Sequence, residues 1–244
     1  MIRRLPAMRA RKPSLAAPGP ARVVPAAVAL GVLAAAAWVV LAAGLVEHPS
    51  HDALLGHGHA PSRAMLGAFL LGWLLMVVAM MLPASIPAVL ARARDTAARR
   101  LWAATAGLVV ATCAVWSGFA MVTLAGDAVV HRVVDSWHWL GEREVLVAAA
   151  VLVLAGMFHL SPLQRRLLDT ARRPPRHLPR HALSCLGSCG ALMLVMFAVG
   201  VGSLPWMAVL TLVMTVEHGA RSGPRLVPIA GIALVLLGAA TALG

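Results

Sequence analysis

Val23 to Val46 is a run of 24 residues with no charged side chain, and it is the first of several such runs. Others cover 64–90, 101–125, 145–160, 182–201, 204–216 and 226–243. About 20 apolar residues in a helix cross the 30 Å hydrocarbon core of a bilayer. Backbone amides in lipid must be bonded within their own segment, so runs of this length are expected as helices. The expectation is an all-α, polytopic transmembrane helical bundle of about seven helices, with 23–244 as a single helical domain. A cleaved signal peptide has a shorter apolar core of about 7–15 residues, so 23–46 is expected to anchor the chain. Residues 1–22 place Arg3, Arg4, Arg9, Arg11, Lys12 and Arg22 among Pro and Ala, as in a disordered basic tail.

Composition agrees, with 60% apolar and 12% charged residues. Soluble domains are nearer half and a quarter. The net charge of +12 sits in short loops between the apolar runs. With the N-terminus cytoplasmic, every Lys and Arg except Arg63, Arg132 and Arg143 falls inside, while Glu47, Asp52, Asp127, Asp135, Glu142 and Glu144 fall outside. That asymmetry matches the positive-inside rule and points to a bacterial inner (plasma) membrane, with the lipid bilayer as the first partner. The basic residues are not interleaved with aromatics, so nucleic acid is not an expected partner. No phosphate loop, dinucleotide turn, haem motif or nucleophile elbow is present, and no catalytic residue is assigned. Three cysteines make no disulfide framework, and Cys113 is most simply a small packing residue.

The run from Ala182 to His218 is too long for one crossing, about 55 Å against 30 Å. Gly200-Val201-Gly202-Ser203-Leu204-Pro205 is the expected corner between two helices. On the first of them, Cys185, Cys189, Met193 and Met196 fall within about 80° of one another. Such a stripe is either apolar packing or a soft-metal surface, since thiolate and thioether donors suit Cu(I), and Cys with imidazole or carboxylate also suits Zn(II). Glu217 is the only acid in the last 70 positions. A carboxylate at membrane depth is costly; it marks a functional place or pairs with Arg221 one turn on.

The topology sets the depths of these residues. Met76 and Met80 share a face with Pro83 and Pro87, and each Pro frees a backbone carbonyl that must face protein or a cavity. Met157 and His159 end one helix inside, Cys185 and Cys189 begin the next, and Met214, Glu217 and His218 end the one after. The expected metal ligands are Cys185, Cys189, Met193, Met76, Met80, Glu217 and His218, while His159 is expected at the lipid interface. Outside, Glu47, His48, His51, Asp52, His57 and His59 form one cluster that either captures metal or is a polar linker. His131, Asp135, His138 and Glu142 would share a helical face as another.

The blocks Gly72–Pro87 (GWLLMVVAMMLPASIP), Phe158–Arg172 (FHLSPLQRRLLDTAR) and Cys185–Gly219 resemble a bacterial family of uncharacterised, predicted metal-binding integral membrane proteins. The resemblance implies a multi-pass inner-membrane protein that handles metal. Family members carry Cys after Ser-Pro-Leu, where this chain has Leu167, Leu168 and Thr170. They have adjacent cysteines where this chain has Ser188-Cys189, so fewer thiols are expected here. The resulting expectation is a membrane protein that binds, delivers or transports a metal ion, copper first, with a metal donor or acceptor protein as partner. A scaffold subunit of a membrane complex and a thiol oxidoreductase are the alternatives.

Overall fold

In a computed structural model, residues 24–44, 62–93, 97–136, 144–174, 177–199 and 203–243 are described. Among them every regular element is an α-helix: α1 (Val24–Ala42), α2 (Arg63–Ala93), α3 (Ala98–Ser136), α4 (Glu144–Leu160), α5 (Pro162–Ala171), α6 (Leu178–Val199), α7 (Leu204–Gly219) and α8 (Gly223–Leu243). Five of these, α1, α2, α3, α6 and α8, are long and apolar enough to cross a membrane. A sixth crossing results if α4 and α5, bent by 70° where they meet, are one span. At 16 residues α7 is shorter. The basic tail 1–22, the 47–59 cluster and residues 200–202 of the corner lie outside the described residues.

Two boundaries differ from the sequence expectation. The run expected to end at 125 continues as helix to Ser136. Polar residues end an apolar stretch, but a helix stops only where its hydrogen-bond ladder is interrupted, and no Pro does so here. The stretch after Leu160, expected as a basic loop, contains α5. Ser161 caps it, its side chain accepting from the Gln164 N–H at 3.2 Å, and Pro162 occupies the first turn. Ser-Pro-Leu-Gln is the S-x-x-Q pattern of a helix start.

At the centre is α6, packed against α3, α4 and α5. On one side α2 packs against α1, α3 and α7. On the other, α4 and α8 form the most extensive helix pair. Their closeness depends on glycine: a Cβ on Gly156 would lie 2.6 Å from the Gly231 carbonyl oxygen, and one on Gly238 would lie 2.8 Å from that of Ala149. Small residues let helix backbones approach in this way.

The expected release of carbonyls in α2 is met by a partner. Pro83 has no N–H to offer Ala79, and the Trp38 indole of α1 donates to the Ala79 carbonyl at 3.2 Å. Trp73 of α2 likewise donates to the Trp116 carbonyl of α3 at 3.0 Å. Phe119 stacks edge-on to Trp116 at 5.3 Å and closes that cluster.

Candidate metal centre

α6 enters the core with His181, Cys185 and Cys189 one turn apart on the same side, all buried. α7 ends at the same level with Met214, Glu217 and His218, also buried. The Cys185 and Cys189 sulfurs and a His218 ring nitrogen lie within 4.8 Å of one another. The Cys189 Sγ to His218 Nε2 distance is 3.8 Å. Metal bonds of about 2.3 Å to sulfur and 2.0–2.1 Å to nitrogen would place such ligands about 3.8 Å apart in a trigonal site and about 3.6 Å apart in a tetrahedral one. The spacing therefore fits a single ion.

The imidazole is held for that task. His218 Nδ1 lies 2.9 Å from the Met214 carbonyl one turn back. A ring N–H donated there leaves the lone pair on Nε2, facing the sulfurs. Ser188 fills the remaining space. Its hydroxyl is 3.1 Å from the Cys185 carbonyl and 3.2 Å from His218 Nε2.

From α5, Gln164 donates its amide N–H to the Ser188 carbonyl at 2.8 Å, tying the bent helix to the cysteine-bearing turn. The Arg172 guanidinium, just past α5, donates to the carbonyls of Glu217 and Ala220, the latter at 2.8 Å. The Glu217 carbonyl is in the last turn of α7, the Ala220 carbonyl just past it also accepts from the Gly223 N–H at 3.1 Å, and a cation there opposes the negative end of the helix dipole. Gln164 in α5 and Arg172 at its end thus tie the cysteine-bearing turn of α6 and the histidine-bearing end of α7 to one short helix.

The seven residues singled out from sequence fall into two groups. Cys185, Cys189 and His218 come together, with Glu217 beside His218 on the same turn. Met76, Met80 and Met193 are buried in the same apolar cluster as the two cysteines. Met157 does not join them; it is 57% exposed on the outer side of α4. One expectation needs correction, and one pair of alternatives is decided. His159 is not at an interface but wholly buried, with Nε2 3.9 Å from Glu217 Oε1. Glu217 therefore faces His159, while Arg221 is exposed. The reason is lateral: Gly156 and Gly231 let α4 sink against α8, and a Cβ on Gly231 would meet the His159 Cβ at 3.1 Å. Of the outer cluster, His131 and Asp135 lie on the helical backbone of α3, but their side chains, and all of His138 and Glu142, are outside the described residues.

The class that emerges is an all-helical protein, rich in apolar helices, with a buried Cys/Cys/His group spaced for a metal ion. The chain belongs to the family described as PpoB2, copper chaperone, whose family model matches residues 70–241, well over half its length. The match begins inside α2 and ends inside α8, so it takes in every residue of the group. No curated protein and no solved structure matches the chain.

Proposed function

We propose that this chain is a multi-pass protein of the bacterial inner membrane that binds Cu(I) through Cys185, Cys189 and His218 and passes it to an acceptor protein. The observation that carries this reading is the 4.8 Å convergence of two thiols and one imidazole from different helices. Its support is the copper chaperone family match over the same residues.

Copper is the cargo here. Two soft thiolates favour Cu(I), and three-coordinate Cu(I) leaves a face open on which an incoming ligand can begin exchange before an outgoing one departs. Cys189 is fully buried, whereas Cys185 and His218 each keep a small accessible edge, and His181 lies one turn before Cys185. Exchange therefore runs along α6, from His181 through Cys185 to Cys189 and back. Buried Met80, Met193, Met196 and Met214 keep water out and supply a soft lining.

The membrane assignment rests on the five apolar helices and on their outward faces. Val28, Val39, Leu71, Val110, Leu183, Ile229 and Leu236 are all more than half exposed, which suits lipid and not water.

The test is Cu(I) bound by detergent-purified protein under reducing conditions. Wild type should bind copper against a competing chelator, and Cys185→Ser/Cys189→Ser should not. Equal copper in the two would refute the reading. Release of the chain from membranes by an alkaline wash would refute the membrane assignment.

A further inference from the structure

Next to the sulfur-bearing group is a second cluster of buried side chains whose chemistry differs from it. His159 and Gln164 are 0% exposed and Glu217 is 1% exposed. Both Glu217 carboxylate oxygens and Gln164 Oε1 are buried with no hydrogen-bond partner among the described residues. His159 Nδ1 lies 3.3 Å from the Ala155 carbonyl. With its N–H donated there, the ring presents a lone pair at Nε2. That lone pair faces Glu217 Oε1 at 3.9 Å and Gln164 Nε2 at 3.5 Å. The Gln164 amide cannot turn its N–H group away without losing the 2.8 Å bond to the Ser188 carbonyl. Gln164 Nε2 thus reaches His159 Nε2 only at 3.5 Å, and both Glu217 oxygens are left without a donor among the described residues.

Buried acceptors facing one another are costly unless something positive stands between them. A distance of 3.9 Å is too long for a direct N–H···O bond. It is close to the roughly 3.3–3.6 Å that separates nitrogen and oxygen ligands of one tetrahedral ion with bonds of about 2.0–2.2 Å. Closing a few tenths of an ångström needs only a change of side-chain torsion. Neutral imidazole with a carboxylate is a borderline-to-hard set, suited to a divalent ion rather than to Cu(I).

We infer that His159 and Glu217, with Gln164 beside them, form a second cation position, for a divalent ion of the Zn(II) class, next to the Cys185/Cys189/His218 group. The two positions are wired to each other. Ser188 accepts from Gln164 through its carbonyl and touches His218 through its hydroxyl, and Glu217 and His218 are neighbours in sequence. An ion on one side thus alters the orientation of ligands on the other, which makes the second position a control on the first.

The experiment uses full-length protein in detergent with Co(II) and Zn(II) as probes, and a separate Cu(I) competition on each sample. Cys185→Ser/Cys189→Ser should still take up Co(II), with ligand-field bands but no sulfur-to-cobalt charge transfer, and Zn(II) should displace it. Adding His159→Gln or Glu217→Gln to that protein should lower Zn(II) affinity by at least about tenfold. In an otherwise wild-type chain, Glu217→Gln should keep Cu(I) bound, which also reports that the helices remain assembled. Failure of the cysteine-free protein to bind Zn(II), or binding that His159→Gln and Glu217→Gln leave unchanged, would overturn the inference. Neither outcome touches the copper reading, which stands or falls on the Cu(I) measurement.

Discussion

Gly156→Ala tests how the bundle holds His159 in place. The added methyl would lie 2.6 Å from the Gly231 carbonyl oxygen, 2.7 Å from Val235 Cγ2 and 2.9 Å from the Val235 nitrogen. Ordinary contact begins near 3.4 Å, so α4 and α8 must separate by about 0.8 Å. Two of the three opposing atoms are backbone, and no side-chain rotation relieves them. Overpacking of this kind costs about 1–3 kcal/mol, and the gain in helix propensity offsets at most about 1 kcal/mol. Gly118→Ala is the control, because nothing stands within 4 Å of the added methyl and only the propensity gain applies. The two variants should differ by about 2 kcal/mol in unfolding free energy, measured by titrating a denaturing detergent into mild micelles. His159, three residues beyond Gly156, moves with α4, so Zn(II) binding should weaken while Cu(I) binding at Cys185 and Cys189 persists. If Gly156→Ala unfolds with Gly118→Ala, the α4–α8 seam is not what the backbone distances imply.

Three further outcomes follow from named contacts. Trp38→Phe removes the donor on the Ala79 carbonyl and should cost about 1–2 kcal/mol, but much less in a Pro83→Ala background, where residue 83 regains an N–H for that carbonyl; a double-mutant cycle in the same unfolding assay reads the coupling. Gln164→Leu leaves the Ser188 carbonyl without its donor and should weaken Cu(I) binding by about 10–100-fold with Cys185 and Cys189 intact, as measured by chelator competition. Arg172→Met strips the charged donor from the carbonyls of Glu217 and Ala220 and should destabilise by about 1.5–3 kcal/mol, with faster amide hydrogen exchange at the end of α7.

Much of the helical architecture was legible because apolar length is a one-dimensional property. The runs at 64–90, 145–160 and 204–216 each became a helix whose ends moved by only a few residues. The spacing of Cys185 and Cys189 placed them on one face without any knowledge of partners. What sequence could not supply was sideways position. His159 read as an interfacial residue because depth alone was known, and only the glycine seam with α8 explains why it is buried against Glu217. Gln164 was passed over inside a basic stretch, although Ser161 three residues earlier marks a helix start and could have revealed α5. For Glu217, local spacing leaves a functional role and a pair with Arg221 as equal alternatives; the side chain looks across to His159 on another helix, and its backbone carbonyl is taken by Arg172.

The indole of Trp38 has a bearing on where this protein can be cut. The copper chaperone match starts at residue 70, after α1 has ended. Yet α1 supplies the donor for the gap that Pro83 opens in the ladder of α2, and α2 in turn braces α7 and its histidine. Similarity to relatives thus begins later in the chain than mechanical self-sufficiency does. A fragment beginning at residue 62 would keep every sulfur and imidazole of the cluster and lose the prop beneath them.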